Sequence, residues 1–140
     1  MKMTIFFSLI LSVFAFSACQ TASTQKAANP PQSGASTGIK QITVAEAKPA
    51  VETKDVQFID VRTVGEYTGG HAVKAANFPL DLIEKDLTKL DKDKPVYVIC
   101  QTGSRSQKGS EILQRAGFKN IFNINGGTSA WESAGFPMEK

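Results

Sequence analysis

From residue 39 onward, short apolar runs of strand length alternate with stretches whose apolar positions recur every three to four residues. The runs Val56-Gln57-Phe58-Ile59-Asp60, Val96-Tyr97-Val98-Ile99-Cys100 and Ile121-Phe122-Asn123-Ile124 read as strands. The second is almost continuously apolar, as a strand covered on both faces of a parallel sheet should be. Residues 81–90, with Leu82, Ile83, Leu87 and Leu90 at helical spacing, and residues 106–116, with Ile112 and Leu113 turned inward, are predicted helices. Gly117 then supplies a left-handed stop. An earlier helix starts at Thr43, because Thr43-Val44-Ala45-Glu46 has the Ser/Thr-x-x-Glu form of a capping box, and Pro49 kinks or ends it. Alternation of this kind implies parallel strands joined by helical crossovers, an α/β domain. No internal repeat is visible.

The first residues follow another pattern. Lys2 precedes an uncharged apolar run over residues 3–18, too short and too abruptly ended for a spanning helix, so residues 1–18 read as a secretory signal peptide. Phe16-Ser17-Ala18-Cys19 resembles the bacterial lipobox, Leu-x-Gly/Ala-Cys, which is cut before a Cys that becomes acylated; Phe16 stands where Leu is usual. Two cleavages fit these residues: before Cys19, giving a lipid-anchored protein, and after Ser17, with Ala15 and Ser17 as the small residues, giving a soluble one. Either way the expected location is the cell envelope, on the periplasmic face of a membrane or in the periplasm. Residues 19–38 are small and polar, with Pro and Gly, and form a tether reaching at most about 3.3 Å per residue. Residues 39–140 remain for one domain, with no room for a second core.

Composition narrows the function classes. With 41% hydrophobic and 21% charged residues, the chain fits a globular domain rather than a disordered one. A net charge of +3 is too small and too scattered to indicate a nucleic-acid partner. Lys85, Lys89, Lys92 and Lys94 interleave with Glu84, Asp86, Asp91 and Asp93, which is a solvated surface. The one histidine, His71, and the one cysteine left after processing are too few to hold a metal, and no cofactor is expected.

Chemistry concentrates at Cys100, because Cys19 and Cys100 are the only cysteines and Cys19 would be consumed by acylation. A single thiol in an oxidising compartment is either an inert filler or a reactive group, and its neighbours decide. The strand ending at Ile99 delivers Cys100 to the carboxyl edge, where open α/β sheets bind ligands. Gln101-Thr102-Gly103-Ser104-Arg105 then leads into a helix. Such a loop can wrap its N–H groups around the sulfur, the helix start adds about half a positive charge, and Arg105 can add a full one. Thiolate is favoured over thiol, and the same cradle suits a persulfide or an anionic donor such as thiosulfate. On the loop alone, an ordinary βα turn with a space-filling Cys100 remains the competing reading.

The wider pattern resembles the rhodanese family across residues 39–140. The shared residues are Phe58-Ile59-Asp60-Val61-Arg62, Glu66-Tyr67, Gly70-His71, Ala75-Ala76-Asn77-Phe78-Pro79-Leu80, the Cys100 to Ser106 loop, and Gly126-Gly127-Thr128-Ser129-Ala130-Trp131. Val73-Lys74 and Pro49 depart from it mildly. The resemblance implies a five-stranded parallel sheet with helices on both faces, and a monomeric sulfurtransferase that moves sulfane sulfur from a small-molecule donor to a thiophilic acceptor, a protein thiol included. Cys100 would be the sulfur-accepting nucleophile, and Gln101, Thr102, Gly103, Ser104 and Arg105 the substrate-binding cradle. Asp60, Arg62 and Glu66 would brace neighbouring loops, His71 would be a turn element rather than a general base, and Trp131 core or pocket wall. Two rivals stand beside this. A cysteine-dependent phosphatase or arsenate reductase needs five residues between Cys and Arg, where this loop has four. A non-catalytic persulfide carrier or binding module is the other.

Overall fold

The computed structural model describes residues 38–140. The expected signal peptide, Cys19 and the tether up to residue 37 lie outside the described residues. The chain runs β1 (Ile39–Ile42), α1 (Val44–Val51), β2 (Gln57–Asp60), α2 (Val64–Gly69), β3 (His71–Ala72), β4 (Ala76–Asn77), α3 (Ile83–Asp86), a 3-10 turn (Leu87–Lys89), β5 (Val96–Ile99), α4 (Ser104–Arg115), β6 (Ile121–Ile124), α5 (Gly127–Ser133) and β7 (Met138–Glu139). Among the described residues, no helix is long and apolar enough to cross a membrane.

The main sheet has the order β1-β6-β5-β2-β4, with every neighbouring pair parallel. The chain passes from the β1 edge across to β2, out to the β4 edge, and back over β2 to the centre. β5 therefore lies in the middle, and all four of its residues are buried, which accounts for its continuous apolarity. Alternate side chains feed two cores. Ile59, Val61, Val96, Val98, Cys100 and Ile121 pack with Ile83 and Leu113 on the face covered by α3 and α4. Phe58, Tyr97, Ile99 and Ile124 pack with Ala47, Val51 and Trp131 on the face covered by α1 and α5. The sheet is thus a five-stranded parallel sheet with helices on both faces. A second, two-stranded sheet pairs β3 with β7, antiparallel.

Local sequence explains most elements and some differences. Thr43 caps α1, its side chain accepting from the Glu46 N–H while the Glu46 carboxylate accepts from the Thr43 N–H. Pro49 neither stops nor shortens α1 at its own position: the helix runs on to Val51. Pro49 lacks one N–H, but the capping box and the burial of Ala47 and Val51 hold a helix this short. The helix expected over residues 81–90 is broken into α3 and the 3-10 turn, joined by three-residue bonds such as Lys85 N–H to Leu82 O and Leu90 N–H to Leu87 O. Leu82, the first residue of the apolar stripe, provides no side-chain cap and is 40% exposed rather than inward. α4 begins at Ser104, two residues before the expected start, and Gly117 follows it at φ 94°.

Candidate active site

Cys100 is the first residue beyond β5 and has no exposed surface. Its carbonyl oxygen accepts from the Thr128 N–H at 2.7 Å, and the Gln101 carbonyl accepts from the Ser129 N–H at 3.1 Å. The start of α5 thus satisfies the first two carbonyls after the strand. This close approach requires glycine at 127, where φ is 56° and a Cβ would stand 2.2 Å from the Cys100 oxygen. With those carbonyls tied outward, the loop closes back over the sulfur, and the Gly103 N–H donates to Sγ at 3.1 Å. Gly103 itself has φ 106°, and a Cβ there would meet the Gly126 nitrogen at 3.4 Å.

Burial pushes the Cys100 thiol up, but the neighbouring Ser106 side chain and the N–H groups of Ser106, Gly103 and Thr102 together outweigh it. The thiol is held below its ordinary value of 9.0. The start of α4 adds its partial positive charge. Ser106, fully buried, donates to the Gly103 carbonyl at 3.0 Å, so one hydroxyl ties the turn of the loop to the first turn of α4.

The five expected cradle residues play different parts. Gly103 turns its N–H onto the sulfur at 3.1 Å, and the Thr102 N–H acts with it to hold the thiol down. The Gln101 side chain is a brace: Nε2 donates to Ser129 Oγ at 2.8 Å, and Oε1 accepts from Thr128 Oγ1 and from Arg62 Nη1, both at 3.3 Å. Ser104 opens α4 and is exposed. Arg105 forms a two-point pair, Nη1 to Glu66 Oε2 at 2.7 Å and Nη2 to Glu66 Oε1 at 2.6 Å. This pair holds the Glu66 carboxyl at about 2, with the Thr63 hydroxyl as the next cause. Arg105 is held above its ordinary value by Glu66, and the Cys100 charge adds to the effect.

The bracing residues lie around this loop. Asp60 and Arg62 are both buried and paired at 2.7 Å, and Arg62 Nη2 also donates to the Gly70 carbonyl. Removing Arg62 would strand a buried carboxylate, a loss of about 3–5 kcal/mol for such pairs. Asn77 Nδ2 donates to the carbonyls of Asp60 and Arg62, joining β4 to the same corner. His71 is buried, stacks on Tyr67 at 3.6 Å, donates through Nδ1 to the Tyr67 carbonyl, and sets Nε2 3.4 Å from Glu139. Trp131 is 1% exposed in the core, with Nε1 donating to the Pro137 carbonyl.

Two grooves flank the Arg105–Glu66 pair. One, of about 320 Å³, is lined by Val61, Thr63, Leu80, Asp81 and Arg105. The other, of about 270 Å³, is bordered by Arg62, Glu66, Gln101, Thr128 and Glu132 among others. Glu66 is expected to brace neighbouring loops, but its partner Arg105 is not legible in the sequence, nor is the tie that Ser106 makes to Gly103. Glu66 belongs to Thr63-Val64-Gly65-Glu66, a second Ser/Thr-x-x-Glu box whose form signals the cap of α2 but not its pairing with Arg105. Ser106 carried no signal beyond following Arg105.

A buried cysteine whose sulfur accepts from the Gly103 N–H, at the carboxyl end of the central strand of a parallel sheet and the start of a helix, defines an α/β domain with a thiolate-stabilising loop. Residues 43–134 match the family described as rhodanese-like domain, and the chain belongs to that family. It is 35% identical over 89 residues to the uncharacterized protein YqhL of Bacillus subtilis, covering 64% of this chain and 71% of that protein. The thiosulfate sulfurtransferase GlpE of Shewanella oneidensis is 30% identical over 95 residues, 68% of this chain and 94% of that one. Among solved structures, a rhodanese-like domain protein from Staphylococcus aureus superposes with a TM-score of 0.61 at 38% identity, covering 66% of this chain and 90% of that one. A rhodanese-related protein from Thermoplasma volcanium gives 0.65 at 28%, covering 71% and 97%.

Proposed function

We propose that this protein is a sulfurtransferase that carries sulfane sulfur as a persulfide on Cys100. The observation that supports it most is the Gly103 N–H bonded to the buried sulfur at 3.1 Å, in a loop whose groups together hold the thiol below its ordinary value. In the reaction the Cys100 thiolate attacks the outer sulfur of a donor, an S–S bond forms, and the bond from that sulfur to the rest of the donor breaks with its electron pair. The new outer sulfur stands about 2 Å beyond Sγ and carries the negative charge that N–H donors stabilise. A thiophilic acceptor, a small molecule or a protein thiol, then removes it and restores the thiolate. Relatives named sulfurtransferase, including one from Allochromatium vinosum at 32% identity, are in keeping with this reading.

The test is the intact mass of the folded chain after incubation with a sulfane donor and removal of excess reagent. Wild type should gain one sulfur atom, lose it to cyanide, and do neither as Cys100→Ser. An unchanged wild-type mass with every donor would refute the assignment. We further propose that the protein works at the periplasmic face of a membrane, anchored through acylated Cys19. Labelling with palmitate should mark wild type and not Cys19→Ala; an unlabelled soluble wild type would favour cleavage after Ser17.

A further inference from the structure

The electrostatics around the loop bear on which donor it accepts, an inference that rests on the sulfurtransferase reading. Both arginines beside Cys100 are already neutralised: Arg62 by Asp60 at 2.7 Å, and Arg105 by Glu66 through two bonds of 2.6 and 2.7 Å. The two grooves add Asp81 on one side and Glu132 on the other, and no lysine lines either. Two cations thus stand among four carboxylates, the buried Asp60 and the groove-lining Glu66, Asp81 and Glu132, before the thiolate itself is counted. Thiosulfate would bring two further negative charges against that surface. The groove beside Arg105 also has an aliphatic wall, Val61 and Leu80. Val61 belongs to the same buried cluster as Cys100, and its N–H is bonded to the Ile99 carbonyl one residue before it. A wall of that kind has nothing to offer a sulfonate and suits an alkyl substituent.

We infer that the site takes sulfur from small organic sulfane compounds, R–S–S⁻ persulfides and R–SO₂–S⁻ thiosulfonates with an aliphatic R, in preference to thiosulfate, and that Glu66 sets this preference by occupying Arg105. With a thiosulfonate, the Cys100 thiolate forms an S–S bond to the terminal sulfur while the bond from that sulfur to the sulfonyl sulfur breaks. The sulfinate RSO₂⁻ leaves with the electron pair, and two negative charges are present before and after. With thiosulfate the leaving group is sulfite, and three charges must crowd the loop throughout. Glu66 touches no reacting atom and is a positioning residue acting through Arg105.

The experiment measures kcat and KM for thiosulfate and for methane-, ethane- and butanethiosulfonate, on wild type and Glu66→Gln, across a range of potassium chloride concentrations. In wild type, kcat/KM for thiosulfate should rise with salt, because screening weakens repulsion, and should rise more than for the monoanions. From methane to butane, kcat/KM should climb by about fourfold per buried CH₂. Glu66→Gln frees Arg105 and should raise kcat/KM for thiosulfate by about tenfold, through KM, while the alkanethiosulfonates change less than about threefold. A merely structural role for Glu66 would lower all donors together and leave their ratio unchanged. Should the variant fail to fold, the wild-type salt dependence and chain-length series decide alone. Thiosulfate turnover that falls with salt, or no gain with chain length, overturns the donor preference and leaves sulfur transfer standing. Failure of every donor to add sulfur to Cys100 overturns the function itself.

Discussion

Helices α1 and α2 open on the same four-residue device. In each, a threonine at the N-cap accepts from the N–H of a glutamate three residues on, and that glutamate reaches back to the threonine N–H and hydroxyl. Both carboxyls are held below the ordinary value of 4.5, Glu46 by the Thr43 N–H and hydroxyl. Glu46 stops there, on an exposed edge. Glu66 has a second task, because the β2–α2 corner faces the start of α4 and brings Arg105 onto both of its oxygens. The difference between a cap and a part of the site is therefore a matter of what stands opposite. The same carboxylate that starts a helix also sets how much positive charge the cysteine loop has to spare.

The strongest way to break this comparison is to remove what distinguishes the two boxes. Arg105→Ala leaves Glu66 an unpaired carboxylate beside the loop, and sulfur transfer should fall by about tenfold or more, about 1.4 kcal/mol in the barrier. Arg105→Lys keeps the charge without the two-point fork and should lie between. Equal turnover of the three proteins would mean that the pair has no bearing on the site.

The nucleophile itself gives a second reading. Alkylation of Cys100 by iodoacetamide should titrate with a midpoint below 9.0, since the folded thiol is held down. The midpoint should rise in Arg105→Ala, rise also in Ser106→Ala, which removes a side chain that holds the thiol down and ties the loop to α4, and stay put in Glu46→Gln. A midpoint at or above 9.0 in wild type would mean that burial prevails over the hydrogen bonds.

Acid unfolding sharpens the contrast further. A carboxyl depressed to about 2 contributes stability that is present above its ordinary value of 4.5 and is lost as pH falls toward 2. Between pH 6 and pH 3, urea unfolding should show that Glu66→Gln removes more of the wild-type acid sensitivity than Glu46→Gln does. The reverse ranking would place the stronger pairing at α1. The smallest effects belong to the caps: Thr43→Ala and Thr63→Ala should each lower stability by about 0.5–2 kcal/mol in urea titrations. Only Thr63→Ala should also alter sulfur transfer, and an equal influence of both on turnover would erase the distinction.

What could be read without coordinates was whatever depends on neighbours in the chain. β5 announces itself through an unbroken apolar run and β6 through one interrupted only by Asn123, the start of α1 through Thr43 and Glu46, and the end of α4 through Gly117, because period, capping and left-handed backbone are local properties. The position of Cys100 at a strand end, ahead of a loop with Gly103 at its bend, is local too. Pro49 shows the limit of such reasoning, since its missing hydrogen bond is offset by Ala47 and Val51 packing on the far side of the helix. The helix expected over residues 81–90 shows it again: periodicity marked Leu82 as inward, whereas contacts made elsewhere left it at the surface.

The sequence by itself therefore determined an α/β domain with one thiol at a sheet edge, and a loop of the right length and composition to surround it. Only the tertiary structure decided which of those loop residues face the sulfur. Gln101 turns to Thr128, Ser129 and Arg62, and Arg105 turns to Glu66, each partner at least 27 residues away in the chain. Side-chain hydrogen bonds are short-ranged and directional, so a residue's partner is fixed by which elements the fold brings within about 3 Å, a distance that spacing along the chain does not encode.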